Sequence, residues 1–235
     1  MARTNRRTLK RKANKFFPRR SKKAKVVIPR APRQGVTNFN HPFPTEKFVK
    51  LVYADNVQPV TTSMGTGNIM HYSFRSNSIY DPDHTSTIVG HQPLFYDQYA
   101  EIYHKYLVKA CSIQVRPVST NSNVEVGILF TGNSFDSTTM DPVQMMEQNN
   151  SRVNVIGNNA NITNLSIYRN IMGMDGASIG EEDQYESVFG ANPNFNRFIH
   201  VVARRTDQAN LSDMKFIVKI TYYCKLFKPK YFTTS

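Results

Sequence analysis

The N-terminal segment of the chain holds the residues with the clearest chemical capacity. Fourteen Lys or Arg lie between Arg3 and Arg33, and no Asp or Glu precedes Glu46. Guanidinium and ammonium groups in such a run contact phosphates and release counterions, which gives tight, salt-sensitive binding to nucleic acid with little sequence preference. The predicted nucleic-acid-binding residues are Arg3, Arg6, Arg7, Lys10, Arg11, Lys12, Lys15, Phe16, Phe17, Arg19, Arg20, Lys22, Lys23 and Lys25.

Two of these residues, Phe16 and Phe17, are aromatic. Their rings are predicted to stack on unpaired bases, which is worth about 1–3 kcal/mol per base. Packing of the two rings against the rest of the protein is the alternative. A solvated charged surface does not explain the basic run, because no acidic residue is interleaved with it.

The same run contains clusters typical of nuclear-localisation signals, a pattern that any basic tail tends to produce. It therefore predicts recognition by nuclear import factors. The candidate residues are Arg6, Arg7, Lys10, Arg11, Lys12, Arg19, Arg20, Lys22 and Lys23.

The net charge of +13 belongs to the N-terminus, because the chain from position 34 onward has sixteen Lys or Arg against seventeen Asp or Glu. A block of like charges with few apolar residues does not offset its own ordering entropy. Pro29, Pro32 and Gly35 favour an extended tether after it. We therefore predict a basic nucleic-acid-binding arm over residues 1–36 and one folded domain over residues 37–235, a length that suits a single core.

The folded part has the hydrophobic pattern of β-strands. The clearest case is the segment from Met214 to Leu226, where apolar and mostly polar residues alternate over thirteen positions. Eight strand candidates without a repeated period predict an antiparallel sandwich or barrel rather than alternating strand and helix units. These candidates are residues 47–54, 68–77, 106–118, 124–131, 161–169, 184–189, 197–205 and 214–226.

Two short helices are predicted in the connections. One covers residues 97–103, within a stripe of tyrosines (Tyr96, Tyr99, Tyr103 and Tyr106) that we interpret as core and subunit packing rather than a base-stacking platform. The other covers residues 141–148, where Asp141 suits the N-cap and Pro142 the first helical position. Residues 173–196 are predicted to form a long surface loop that contacts a neighbouring subunit.

Cys111 and Cys224 lie in apolar, strand-like runs, which predicts two buried free thiols in a reducing compartment; a disulfide between them stays open. No apolar segment follows the basic N-terminus, and no apolar run approaches the roughly 18 residues of a membrane span. We therefore expect a soluble intracellular protein without a membrane partner.

Asp81, Asp83, His84 and His91 contain the atoms of a metal site. However, an Asp-Pro-Asp sequence is more typical of a turn in which the carboxylates accept local backbone N–H groups. The sequence has no phosphate-binding glycine loop, nucleophile elbow or zinc-protease motif, and its histidines are scattered. We predict no metal, no cofactor and no enzymatic activity.

The stretch FRSNSIYDPDHTSTIVGHQPLFYDQYAEIYHKYLVKACSIQV, together with the acid-free arm and the ending FIHVVARRTDQANLSDMKFIVKITYYCKLFKP, resembles the capsid proteins of circular Rep-encoding single-stranded DNA viruses, the circovirus-like group. The resemblance implies an all-β protein: a single eight-stranded antiparallel jelly roll of the viral capsid type with a disordered basic N-terminal arm. It also implies an icosahedral T=1 shell of sixty copies, with the arms on a circular single-stranded DNA genome. The virion and, during assembly, the host nucleus are the expected locations. The expected partners are the genome, further copies of the chain, host nuclear import factors and a host receptor that the sequence does not identify.

Two other functions fit the same arm. The coat protein of a small single-stranded RNA virus or satellite virus combines a basic arm with a jelly roll. A non-viral nucleic-acid-binding protein, of a ribosomal or chromatin-like kind, would also carry a basic arm, but it would not form a shell.

Overall fold

The fold is built mainly from β-strands. The computed structural model describes residues 43–57, 60–64, 67–86, 90–118, 123–134, 141–156, 164–174, 182–207 and 215–231. These residues form ten strands: β1 (Glu46–Val57), β2 (Val60–Met64), β3 (Gly67–Arg75), β4 (Tyr103–Val118), β5 (Val124–Thr131), β6 (Ser151–Ile156), β7 (Leu165–Asn170), β8 (Glu186–Val188), β9 (Phe198–Arg205) and β10 (Lys215–Pro229). Four short helices connect them: α1 (Tyr96–Ile102), α2 (Pro142–Met145), α3 (Ile171–Met174) and α4 (Glu182–Tyr185).

The strands form two antiparallel sheets. The first sheet has the order β1-β10-β4-β7, with β8 paired to the start of β4, and the second has the order β2-β3-β9-β5-β6. Without β2 and β8, and with the other eight strands numbered along the chain, these orders become 1-8-3-6 and 2-7-4-5. Each sheet thus takes strands from both halves of the chain, which is the arrangement of a jelly roll. The predicted eight-stranded antiparallel jelly roll is confirmed, with β2 and β8 as additional strands.

Alternation along the strands decides which side chains enter the core. In β10, Phe216, Val218 and Ile220 are fully buried while their neighbours Lys215 and Lys219 are exposed. Successive side chains of a strand point to opposite faces of the sheet. The core therefore lies between the two sheets, and every second residue of β10 faces away from it.

Tyrosine and cysteine side chains contribute to this core. Tyr96, Tyr103 and Tyr106 are buried, which confirms core packing for three tyrosines of the predicted stripe, while Tyr99 is half-buried. Packing of the stripe against a neighbouring subunit stays a prediction. Both cysteines are buried free thiols, as predicted, and burial raises the pKa of each thiol.

The outer side of the second sheet has a small apolar cluster of its own. Met145 of α2 packs there against three buried residues of the sheet, Ile69, Leu129 and Val202. Gly127 leaves space for this contact, because a Cβ atom at that position would lie 2.7 Å from the Met145 sulfur. Asp141 caps α2 as predicted: it accepts a hydrogen bond from the Gln144 backbone N–H, and the Gln144 side chain accepts one from the Asp141 N–H.

The strand predictions for β1, β3, β4, β5, β9 and β10 are confirmed within a few residues, and α1 and α2 occupy the two predicted helical segments. The strand predicted over 161–169 is described only from residue 164, and β7 begins at Leu165. The strand predicted over 184–189 was partly wrong, because residues 182–185 are the helix α4 and only three residues form β8.

Two strands were missed by the sequence analysis, β2 and β6. Both are short edge strands with several polar residues, so their hydrophobic period is weak. Among the described residues, none of the helices is long and apolar enough to cross a membrane.

The predicted surface loop over residues 173–196 is only partly a loop. It contains α4 and β8, and Tyr185 and Ser187 in it are buried. The Tyr106 hydroxyl donates a hydrogen bond of 2.9 Å to the Ala191 carbonyl, so the end of this segment is tied to the core. The prediction was wrong here because α4 and β8 are too short to give a periodic signal.

Candidate nucleic-acid interface

All predicted nucleic-acid-binding and nuclear-localisation residues lie between positions 3 and 25, which are outside the described residues. The same holds for the predicted arm as a whole, residues 1–36. Their roles therefore stay predictions. Within the described residues, the surface that suits nucleic acid is the outer face of the first sheet.

Four basic side chains project from this face, which we call the basic sheet face: Lys50 of β1, Arg116 of β4, and Lys215 and Lys219 of β10. The strand register explains their position, since Arg116 is paired with the outward-facing Ile217 of β10. All four residues are exposed. Among the described residues, no carboxylate forms an ion pair with any of the four, so the face carries unneutralised positive charge.

One end of the face is neutralised. Lys225 of β10 forms an ion pair of 2.7 Å with Glu46, the first residue of β1. Both groups retain contact with solvent, so the pair adds little stability. Its main effect is to limit the unpaired charge to the remainder of the face.

Exposed aromatic rings lie among these basic groups. Phe48 of β1 is 71% exposed, Tyr168 of β7 is 55% exposed and Tyr223 of β10 is 39% exposed. Tyr168 and Tyr223 meet edge to face, with ring centroids 5.8 Å apart and an interplanar angle of 75°. Exposed rings beside cations form the kind of surface on which unpaired bases stack.

A polar cleft opens at the edge of this face, where β6 of the second sheet meets β7 of the first. Its volume is about 360 Å³. We call it the edge cleft. Its lining residues are Ser112, Gln114, Ser151, Arg152, Ser166, Ile167, Tyr168 and Arg169.

The two arginines of the edge cleft are held by hydrogen bonds to neutral groups. Arg152 Nη1 donates to the Ser166 carbonyl at 2.7 Å, which ties β6 to β7. Arg169 Nε donates to Asn150 Oδ1 at 3.1 Å, and its Nη1 donates to the Tyr168 carbonyl at 2.9 Å. Neither guanidinium forms an ion pair with a carboxylate of the described chain, so both charges are available to an anion.

The Asp-Pro-Asp segment is a structural turn. Arg75 Nη1 forms an ion pair of 2.6 Å with Asp81 Oδ2 and also donates to the carbonyls of Asp81 and Asp83. Asp83 Oδ1 accepts the backbone N–H groups of Thr85 and Ser86, as the turn interpretation predicts. Burial raises the pKa of Asp81, although the Arg75 guanidinium opposes that shift.

His84 and His91 do not join the two carboxylates in one cluster. His84 packs against Phe198, with ring centroids 4.6 Å apart, and burial lowers its pKa, to which the Arg75 charge also contributes. His91 stacks on Tyr53 at 4.5 Å and lies 3.1 Å from the Ala54 carbonyl. The described residues contain no group of three or more His, Cys, Asp or Glu side chains placed to hold a metal ion.

The basic sheet face and the edge cleft were missed by the sequence analysis. A partial signal for the face exists, because Lys215, Lys219 and Tyr223 occupy alternating positions of β10 opposite its core residues. No sequence pattern could have predicted the edge cleft, since Arg152 lies on the missed strand β6. The position of Arg152 beside Tyr168 depends on how the two sheets meet.

The fold and this face define a jelly-roll protein with a basic, aromatic-rich sheet surface. No protein-family model matches the chain, and no curated protein matches it. Its fold is similar to a chain of desmodium yellow mottle tymovirus, with 11% identity, a TM-score of 0.45, and coverage of 85% of this chain and 99% of that one. It is also similar to a tobacco necrosis virus chain, with 12% identity, a TM-score of 0.47, and coverage of 79% and 97%. A chain of Macrobrachium rosenbergii nodavirus has 9% identity, a TM-score of 0.48, and coverage of 83% and 100%.

Proposed function

We propose that this protein is the capsid protein of a small icosahedral virus, which assembles with copies of itself and packages single-stranded nucleic acid. The observation that carries the proposal is the combination of a jelly-roll body with an acid-free basic N-terminus. The jelly-roll domain is suited to form a capsid shell, and the basic N-terminus is suited to bind phosphates. The role is structural, and no catalytic step is assigned to the chain.

The charge distribution supports packaging. Sixty N-termini with fourteen cationic groups each would place roughly 840 positive charges inside one shell, of the same order as the phosphates of a short genome. The remainder of the chain is close to neutral. Copies with little net charge outside the arm can pack side by side without strong repulsion.

Exposed apolar side chains on the body support self-assembly. Leu94 and Phe95, which precede α1, are 72% and 59% exposed, and Met146, which follows α2, is 66% exposed. Phe95 also has a left-handed backbone, with φ of 72°. Closed symmetric shells bury such patches between copies, so we assign these residues to contacts between subunits.

We further propose that the packaged genome is circular single-stranded DNA, in a T=1 shell of sixty copies. The support is the resemblance of residues 74–115 and of the C-terminal strands to circovirus-like capsid proteins. A small single-stranded RNA or satellite virus is the alternative, because its coat protein needs the same arm and body. Nuclease treatment of genome extracted from particles separates the two: loss to DNase supports DNA, and loss to RNase supports RNA.

The main test is deletion of residues 1–33. We expect shells that assemble but contain no genome, because no described strand lies before Glu46. A full-length variant with all fourteen arm Lys and Arg changed to Gln should behave in the same way, whereas an all-arginine arm should package normally. Normal packaging by the deletion variant would overturn the role of the arm.

Entry into the host nucleus is the remaining part of the proposal. Expression of the full chain in cultured cells should give nuclear protein, imported through host import factors. Changing Arg6, Arg7, Lys10, Arg11 and Lys12 to Ala should shift the protein to the cytoplasm. A second variant also changes Arg19, Arg20, Lys22 and Lys23 to Ala. Unchanged nuclear accumulation of that variant would exclude this signal.

The third interpretation is a non-viral nucleic-acid-binding protein. It predicts that the protein does not assemble into a shell in solution. Sedimentation of purified full-length protein distinguishes it from a capsid protein. A shell sediments far ahead of a 26.9 kDa chain. A monomer that stays monomeric with and without nucleic acid would contradict the capsid proposal.

A further inference from the structure

We propose that the edge cleft is a second nucleic-acid site, separate from the arm, which holds one nucleotide of a single strand. The inference rests on the proposed function, since the strand would be the packaged genome. It assigns a binding role to the described body of the protein. Arg152 and Arg169 bind the phosphate, and Tyr168 stacks on the base.

The two arginines give the cleft its preference for an anion. They come from different sheets, Arg152 from β6 and Arg169 from β7, and both line the same cleft. A guanidinium has five N–H donors. The hydrogen bonds described above use one donor of Arg152 and two of Arg169, all to neutral oxygens. The remaining donors can bind phosphate oxygens in the bidentate geometry that arginine favours.

The other lining groups favour a nucleotide over a simple anion. Tyr168 offers a ring that is 55% exposed and is held in place by its edge-to-face contact with Tyr223. The hydroxyls of Ser112 and Ser166 and the amide of Gln114 both donate and accept hydrogen bonds, as the edges of bases and the sugar do. A volume of about 360 Å³ lies within the range of small-ligand sites.

The surroundings of the cleft favour a strand over a free nucleotide. Gln114, which lines the cleft, is paired in the sheet with Lys219, and Arg116 lies two residues further along β4. Both basic groups belong to the basic sheet face, onto which the cleft opens. Phosphates on the next nucleotides would therefore meet further cations. The strand must be single, because only an unpaired base can stack on Tyr168.

A purely structural role for the arginines makes a different prediction. In that case Arg152 and Arg169 only join β6 to β7, and their removal lowers stability without changing where nucleic acid binds. The test must therefore report where on the protein the nucleic acid binds. Photocrosslinking provides one, since a halogenated uracil forms a covalent bond with an aromatic ring on which it is stacked.

The experiment uses full-length protein assembled with a single-stranded oligodeoxynucleotide that contains 5-bromouracil. After irradiation and nuclease treatment, mass spectrometry identifies the crosslinked peptides. We expect crosslinks in two places, at Tyr168 and in the arm. In the R152Q/R169Q variant, the Tyr168 crosslink should fall at least fivefold relative to the arm crosslinks, which serve as the internal reference.

Arg205→Gln is the matched control, because Arg205 lies on the second sheet and is already paired with Asp207. Its ratio of Tyr168 to arm crosslinks should stay within twofold of the original. Thermal unfolding of each variant checks the fold. A Tyr168→Leu variant, which keeps both arginines, should lose the crosslink in the cleft while its arm crosslinks persist.

The outcomes separate the two proposals. Particles that contain oligonucleotide but show crosslinks only in the arm would overturn the cleft site and leave the capsid proposal intact. The same holds if the R152Q/R169Q variant keeps the original crosslink ratio. Absence of both particles and bound oligonucleotide would overturn the capsid proposal, and the cleft site with it.

Discussion

Asn77 and Arg197 are joined by a buried hydrogen bond although 120 residues separate them. The Arg197 backbone N–H donates to Asn77 Oδ1 at 2.8 Å, and Asn77 Nδ2 donates to the Phe195 carbonyl at 2.6 Å. The Ser76 N–H completes the connection by donating to the Arg197 carbonyl at 2.7 Å. The turn after β3 is thereby locked to the segment that leads into β9.

This lock predicts that Asn77→Asp lowers stability by about 2–4 kcal/mol, because a fully buried carboxylate loses the donor to Phe195 and introduces an unpaired charge. Denaturant unfolding of unassembled full-length protein measures the change. Asn170→Asp is the matched control. Asn170 is exposed, and its side-chain oxygen accepts from the Gly173 N–H, a role that a carboxylate can keep. An equal loss of unfolding free energy in the two variants would contradict the structural role assigned to the hydrogen bonds of Asn77.

The faces of β10 predict opposite effects for neighbouring positions. Phe216→Asp or Ile220→Asp should prevent folding, because each residue is 0% exposed and a buried charge there would have no partner. Ile217→Asp should fold, since Ile217 is 43% exposed on the other face. Far-ultraviolet circular dichroism and solubility distinguish the cases. Soluble, folded Ile220→Asp protein would show that the core face has been misidentified.

Buried His200 predicts that acid destabilises the protein. Burial lowers the pKa of His200 to about 3, and the facing ring of His71, whose Nε2 lies 2.9 Å from His200 Nδ1, contributes to the shift. His84 acts in the same direction. Thr131 Oγ1 and the Asn133 carbonyl contact His200 Nε2, and the carbonyl favours the protonated form.

Because the unfolded chain binds a proton near pH 6.5 and the folded chain does not, this contribution to stability is complete above pH 6.5 and is lost as pH falls toward 3. Between pH 7 and pH 5 the free energy of unfolding should fall by about 1–2 kcal/mol from this group. Urea unfolding at both values measures the slope. His200→Asn should flatten it. If the unfolding free energy of His200→Asn still fell equally between pH 7 and pH 5, groups other than His200 would be responsible for the acid sensitivity.

The two cysteines should be unreactive in the folded protein. Cys111 and Cys224 are at most 1% exposed, and burial raises the pKa of both thiols, so little reactive thiolate forms at neutral pH. A thiol reagent such as DTNB should label no cysteine in native protein and two after denaturation. Labelling of one thiol before unfolding would show that the core opens locally around it.

The strands that were predicted from sequence are those whose buried residues alternate over many positions, such as β5 and β10. Asp141 and Pro142 also identified the start of α2, because capping depends on local residues. The strand order was not accessible in this way, since β4 pairs with β10 across a hundred residues of chain. The basic sheet face follows from that order. It could be identified only once the strands on either side of β10 were known.

The pairing of β1 with β10, with Glu46 opposite Phe227, has a consequence for synthesis. Because β10 also separates β1 from β4, the first sheet stays incomplete until β10 has left the ribosome. Pairing between such distant segments is slow. Under the proposed function, the basic N-terminus is synthesised long before the sheet that would form the shell is complete, which would make association with polynucleotide the earlier event and closure of the shell the later one.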